Sequence, residues 1–226
     1  MIIWGTSTVF LIERARVMSK YEWRKELKEL YLPKKEPTKI EVPKMQFFTV
    51  EGSGNPNTSK QFKENIEILY PLSYAIRMMS RQGITPEGYF EYTVFPLEGH
   101  WDLDEEGRKL DYLDKDHFVY KLMIRQPDFV TEDLFQYALN SVKEKNSKLN
   151  LDTVKFEKIT EGLCVQAMHI GSFDEEPKTF KLMEQYCLEN NLKRIEKTHK
   201  ELYITDARRT PPERSKTVLR FKVAEL

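Results

Sequence analysis

The pattern of apolar and polar positions changes period several times along the 226 residues. Residues 19–32 carry Tyr21, Leu27, Leu30 and Tyr31 among alternating charges, which predicts a short amphipathic helix. Pro33, Pro37 and Pro43 then make residues 33–43 an extended connector. Residues 45–51 read as a strand, closed by the turn-forming run Gly52-Ser53-Gly54-Asn55-Pro56-Asn57. Thr58 or Ser59 caps a helix whose positions Phe62, Ile66, Leu69, Ser73, Ile76 and Met79 keep close to the helical period. Pro71 is expected to kink or break it, and Gly83 to end it. Aromatic and β-branched residues predict a strand over 89–95, and a further strand follows over 118–125.

Thr131, with Glu132 and Asp133 behind it, caps a linker helix over residues 131–145 that turns Leu134, Ala138, Ser141 and Val142 inward. The element order then repeats. Residues 163–170 form a strand ending at Gly171-Ser172, and a short acidic loop follows. Pro177 opens a helix at a position proline tolerates, with Phe180, Met183 and Tyr186 or Cys187 inward and Asn190-Asn191 at its end. In His199-Lys200-Glu201-Leu202-Tyr203-Ile204 the alternation puts Leu202 and Ile204 on one face and His199, Glu201 and Tyr203 on the other. A last strand carries Leu219, Phe221 and Val223. Both halves therefore read strand-helix-strand-strand. Val50-Glu51-Gly52-Ser53 leads to Phe62-Lys63 much as His169-Ile170-Gly171-Ser172 leads to Phe180-Lys181.

The fold expected is α+β: tandem pseudo-twofold β-α-β-β half-domains, residues 44–127 and 154–223, joined in one curved antiparallel sheet. Helices would lie on one side, with a ligand cleft at the pseudo-axis between residues 89–95 and 199–204. Residues 1–43 read as an N-terminal arm ahead of a domain spanning 44–226. Residues 1–17 match no periodicity into which the rest could pack, so Met18 is the expected native start.

Composition narrows the partners. Lysine plus arginine equals aspartate plus glutamate at 36 each, so no net charge recommends a nucleic-acid backbone. Eleven tyrosines, 13 phenylalanines and 3 tryptophans give more rings than a core of this size needs, leaving some to wall a pocket. Cys164 and Cys187 sit in apolar surroundings and read as reduced thiols of a cytosolic protein. The four histidines show no metal-ligand spacing, and neither metal nor other cofactor is expected. The run Val9-Phe10-Leu11-Ile12 is too short to span a membrane, and residues 1–17 lack the basic start of a secretory signal.

The candidate chemistry lies in Glu98 and Trp101, placed on a loop after Phe95-Pro96, and in Glu201 and Tyr203. Taken singly, each has a structural reading: Glu98 a turn residue, Trp101 a rim residue, Tyr203 a core phenol. Among aromatic walls, however, a carboxylate either attracts a lipophilic cation or acts as a general base.

Pro96-Leu97-Glu98-Gly99-x-Trp101, Gln126-Pro127-Asp128-Phe129-Val130-Thr131, Glu161-Gly162-Leu163-Cys164-Val165-Gln166-x-Met168-His169-Ile170-Gly171 and His199-x-Glu201-x-Tyr203 occur in that order. Arg208-Arg209-Thr210-x-Pro212-Glu213 and Thr217 follow. In these motifs, over roughly residues 44–223, the chain resembles the GyrI-like small-molecule-binding family, in its stand-alone branch. The resemblance implies an aromatic pocket around an acidic residue and a bulky lipophilic aromatic or cationic ligand. It also implies kinship with hydrolases that open cyclopropanoid genotoxins. Carried onto this chain, Glu98 and Glu201 are the catalytic carboxylates, and Trp101, Tyr203, Tyr120, Phe118, Met123 and His169 line the ligand. The chain departs from the family's pattern in having Phe118 and Tyr120 where tryptophans are expected, Gly171-Ser172-Phe173 for Gly-Pro-Tyr, and Ala207 for a proline. Three functions stay open on these residues: detoxifying hydrolysis, binding without chemistry as a sensor or sequestering protein, and inhibition of a protein partner.

Overall fold

A computed structural model describes residues 20–206 and 209–226. The expected start at Met18 and the motif positions Ala207 and Arg208 lie outside the described residues. Where one N-terminal helix is expected, the chain makes two single turns, α1 (Trp23–Glu26) and α2 (Lys28–Tyr31). The extended connector contains an edge strand, β1 (Thr38–Val42). Then come β2 (Met45–Ser53), α3 (Lys60–Met78), β3 (Leu97–Leu103) and β4 (Phe118–Gln126). The linker helix α4 (Glu132–Lys145) leads to β5 (Lys155–Ile159), β6 (Gly162–Ile170) and α5 (Glu176–Glu189). Last are β7 (Leu192–Arg194), β8 (His199–Tyr203) and β9 (Lys216–Glu225).

The local signals act where their chemistry places them. Ser59 Oγ accepts from the amide of Phe62 at 3.2 Å and starts α3, and Thr131 Oγ1 accepts from the amide of Leu134 and starts α4. Gly83, at φ 80°, terminates the turn after α3 in the left-handed conformation. Pro71 does not break α3, which is continuous through it. In α4 the buried stripe is Phe135, Ala138 and Val142, with Leu134 and Ser141 only half-buried.

Eight strands follow the order β1-β6-β9-β8-β3-β4-β2-β5, with β7 added beside β9. Every pairing is antiparallel. The central six strands are symmetric. β6-β9-β8 on one side mirrors β2-β4-β3 on the other, each triplet contributed by a β-α-β-β unit, and the two units meet where β3 pairs β8. The expected half-repeat topology is present, with one correction. Residues 89–95 are not the inner strand of the first unit; they make only an isolated bridge, Tyr92 to Tyr21, and β3 takes that place.

Cross-strand partners share a face of a sheet. Helices α3, α4 and α5 pack on the face carrying Phe48, Trp101, Tyr120, His199 and Phe221. The other face is covered by α1, α2 and residues 89–95: Trp23 Nε1 donates to Val94 O at 3.0 Å, and Tyr31 packs on Phe95. No helix among the described residues is long and apolar enough to cross a membrane.

Candidate functional site

The β3–β8 seam is short. Glu98 pairs with Leu202, Gly99 with Glu201, His100 with Lys200 and Trp101 with His199. Because side chains alternate, Gly99, Trp101, His199, Glu201 and Tyr203 face α3 and α5, while Glu98, His100, Lys200 and Leu202 face the other way. Glu98 and Glu201, expected to work as a pair, therefore lie on opposite faces of the sheet. Glu98 is also part of a central strand, not of a loop.

On the helical face the aromatic side chains converge. The Trp101 ring lies 5.8 Å from Phe62 of α3, 5.3 Å from Phe118 and 5.2 Å from Tyr120. Tyr120 lies across Gly52, where an added Cβ would stand 2.5 Å from its hydroxyl. Trp101 Nε1 donates to Tyr203 Oη at 2.9 Å, and the phenol donates to Glu201. Burial, then the charge of Glu201 and its hydrogen bond, hold the Tyr203 phenol well above its ordinary pKa. Glu201 Oε1 also lies 3.0 Å from His199 Nε2, whose ring meets Phe180 of α5 edge-on at 4.9 Å.

The sequence reading missed Glu176. It is the first residue of α5, only 7% exposed, and it hydrogen-bonds to Glu201. Burial and the neighbouring Glu201 charge push its carboxyl up to about 10, against a weaker downward pull from Lys115. Burial beside a second carboxyl group thus favours the protonated form of Glu176 at neutral pH. One oxygen of Glu176, Oε1, is buried with no hydrogen-bond donor directed at it. Phe62, Phe173 and Phe180 were likewise not anticipated as part of this site. Phe173, 42% exposed, stands edge-on to Tyr203 at 6.1 Å and is the most exposed of the rings.

Of the other expected residues, His169 lies on the same face but holds the loop into α5. Its Nε2 donates to Ser172 O, and its Nδ1 pairs with Thr179 Oγ1, both at 2.9 Å. Met123 faces away, opposite Glu98. On that far face Glu98, fully buried, accepts from Tyr31 Oη at 3.1 Å and pairs with Lys200 Nζ at 2.7 Å. Lys200 also meets Glu161 at 2.7 Å, and Arg220 bonds Gln166 and the carbonyl of Leu30. Glu161 is pushed up by burial but pulled further down by Lys200 and Arg220, so it stays below its usual range and charged. This is a neutralised ion cluster that binds the N-terminal turns to the sheet.

Surface concavities of about 420 and 410 Å³ lie one between α1–α2 and β1, the other at the end of the seam beside Asp102, Arg108, Glu196 and Thr198. Over the seam the Trp101 ring packs against Phe62, Phe118 and Tyr120. The Gly99 position sets how closely Trp101 and Tyr203 approach the backbone. A Cβ there would stand 2.7 Å from Trp101 Nε1 and 3.0 Å from Tyr203 Oη. Gly99→Ala is expected to break the Trp101–Tyr203 bond at a cost of about 1–3 kcal/mol. Tryptophan fluorescence and urea unfolding check this, and an unchanged spectrum with unchanged stability would contradict it.

Two β-α-β-β units joined through one continuous sheet, with rings and a buried carboxyl group over the join, define a duplicated α+β small-molecule-binding domain. The chain belongs to the GyrI-like family: the model of the GyrI-like small molecule binding domain matches residues 35–224. An uncharacterized conserved protein from Listeria innocua is similar at 36% identity and TM-score 0.83, and a hydrolase from Listeria innocua at 33% and 0.82. Each similarity covers 91% of this chain and 100% of the other. The C-terminal domain of EcmrR shares the fold at 12% identity and TM-score 0.50, over 84% of this chain and 98% of that one. No protein of curated function matches significantly.

Proposed function

We propose that the protein binds bulky lipophilic aromatic molecules, cations among them, over the β3–β8 seam between α3 and α5. The observation that carries this is the state of Glu201. It is buried among rings, and its partners are a phenol, an imidazole and a carboxyl group. Among the described residues no ammonium or guanidinium is paired with it, whereas Glu98 on the far face has Lys200. A lipophilic cation stacked on Trp101 and Tyr203 supplies the missing charge. The test is a titration with a planar aromatic cation such as ethidium. Glu201→Gln should keep the fold and weaken binding by about 1–3 kcal/mol, the scale of a charge-assisted contact in a partly dry site. Equal affinities would make Glu201 a bystander.

A second reading, hydrolysis of a strained electrophilic ring, is favoured by the raised Glu176 carboxyl group beside Glu201. The 33%-identical Listeria innocua relative described as a hydrolase lends it support. In a cyclopropane conjugated to a carbonyl, water adds to the ring carbon as the adjacent carbon–carbon bond breaks, and that electron pair passes to the carbonyl oxygen. Glu201 takes the proton lost by water, and Glu176 gives its own to the new oxyanion. The direct hydrogen bond between the two carboxyl groups then returns the proton to Glu176.

A further inference from the structure

Resting on the binding reading above, we propose that Glu176 makes the site discriminate by charge: a bound cation displaces the Glu176 proton, whereas a neutral ligand of the same shape leaves it in place. The geometry supports this at three points. First, Glu176 is only 7% exposed, it lies beside the Glu201 carboxyl group, and no hydrogen-bond donor is directed at its buried Oε1. Without its proton, the pair offers a cation two adjacent negative groups in surroundings that water barely reaches.

Second, the charged groups facing Glu176 are already committed. Glu201 and Tyr203 come from β8, with His199 bound to Glu201. From the turn before β4 comes Lys115, which is held by Asp174 of the β6–α5 loop at 2.9 Å. Lys115 is thus shared with Asp174 and offsets only part of the effect of burial and Glu201 on Glu176, and the proton supplies the rest when the site is empty.

Third, Pro177 follows Glu176 directly and α5 begins there, so the carboxyl group is fixed at a helix start. A helix N-terminus stabilises the ionised form once a partner charge arrives. The sign follows by linkage. The Glu176 carboxyl lies high in the empty site and falls when a cation binds, so cation affinity rises with pH between the two values.

The test uses N-methylacridinium and its uncharged counterpart N-methylacridone on the full chain. Calorimetry in phosphate and in Tris, whose ionisation heats differ, counts protons exchanged. The cation should release about one proton per site near pH 7.5, and its affinity should rise about tenfold per pH unit around neutrality. The acridone should release none. Glu176→Gln should bind the cation without proton release and with a flat pH profile. A carbon-13 spectrum of the carboxyl groups adds a readout that needs no variant: the Glu176 signal should move from protonated to ionised as the cation is added. Cation binding without proton release, or the same release with both probes, would overturn this proposal and leave the binding site standing. Failure of both probes to bind would overturn both.

Discussion

Lys200→Met should cost about 3–5 kcal/mol of folding stability, the scale for breaking a buried ion pair by removing one partner. Lys200 is 3% exposed, and its ammonium lies 2.7 Å from both Glu98 Oε2 and Glu161 Oε1, over the face of Phe47 at 4.6 Å. Methionine keeps most of the stem's packing but leaves two carboxylates facing one cation, Arg220, at 3.7 Å from Glu161. Glu98 would then have only the Tyr31 hydroxyl, and would stay buried and ionised or take up a proton. Urea unfolding at neutral pH measures the loss. The double variant Lys200→Met with Glu98→Gln should recover part of it, because the uncompensated charge is gone. A loss below about 1 kcal/mol in the single variant would mean that water reaches the cluster, as it reaches a surface pair.

The same cluster explains why part of the fold was hard to see in the sequence. In β3, Glu98, Gly99, His100 and Asp102 make a central strand look like a loop, because hydropathy has no record of the lysine that neutralises Glu98 from the neighbouring strand. Residues 89–95 look like the better strand. Their aromatic side chains are apolar because they cover Trp23 and Tyr31, not because their backbone pairs in the sheet. By contrast, β8 was legible: the alternation of His199, Glu201 and Tyr203 against Leu202 depends only on neighbours in the chain. So were the starts of α3 and α4, set by Ser59 and Thr131, and the stop at Gly83 after the turn that follows α3. Faces across a seam are another matter. Glu98 and Glu201 appear equivalent until the register sets Gly99, not Glu98, opposite Glu201. Glu176 was one of three successive acidic residues before a proline, and only the docking of α5 over β8 buries it while Asp174 and Glu175 stay exposed.

That change of partner alters the expected outcome for catalysis. With Glu98 on the far face, the acid–base pair available to a ligand over the seam is Glu176 and Glu201. A compound with a cyclopropane fused to a conjugated dienone should be converted to its water-added product faster than in buffer, followed chromatographically. Glu201→Gln removes the base and Glu176→Gln the acid, and each should lower turnover by about 10²–10⁴-fold, the usual worth of one positioned acid or base. The two losses should add to less than their product, because each group works through the other's proton. Glu98→Gln separates this pair from the one expected on sequence grounds. Among the described residues the polar partners of Glu98 are Tyr31 and Lys200, behind the sheet, so its loss should be read mainly in the unfolding curve. Turnover that falls with Glu98→Gln but survives Glu176→Gln, in folded protein, would mean that the chemistry passes through the other face. Intact compound recovered after prolonged incubation with wild type that binds it would leave the seam a binding site without chemistry.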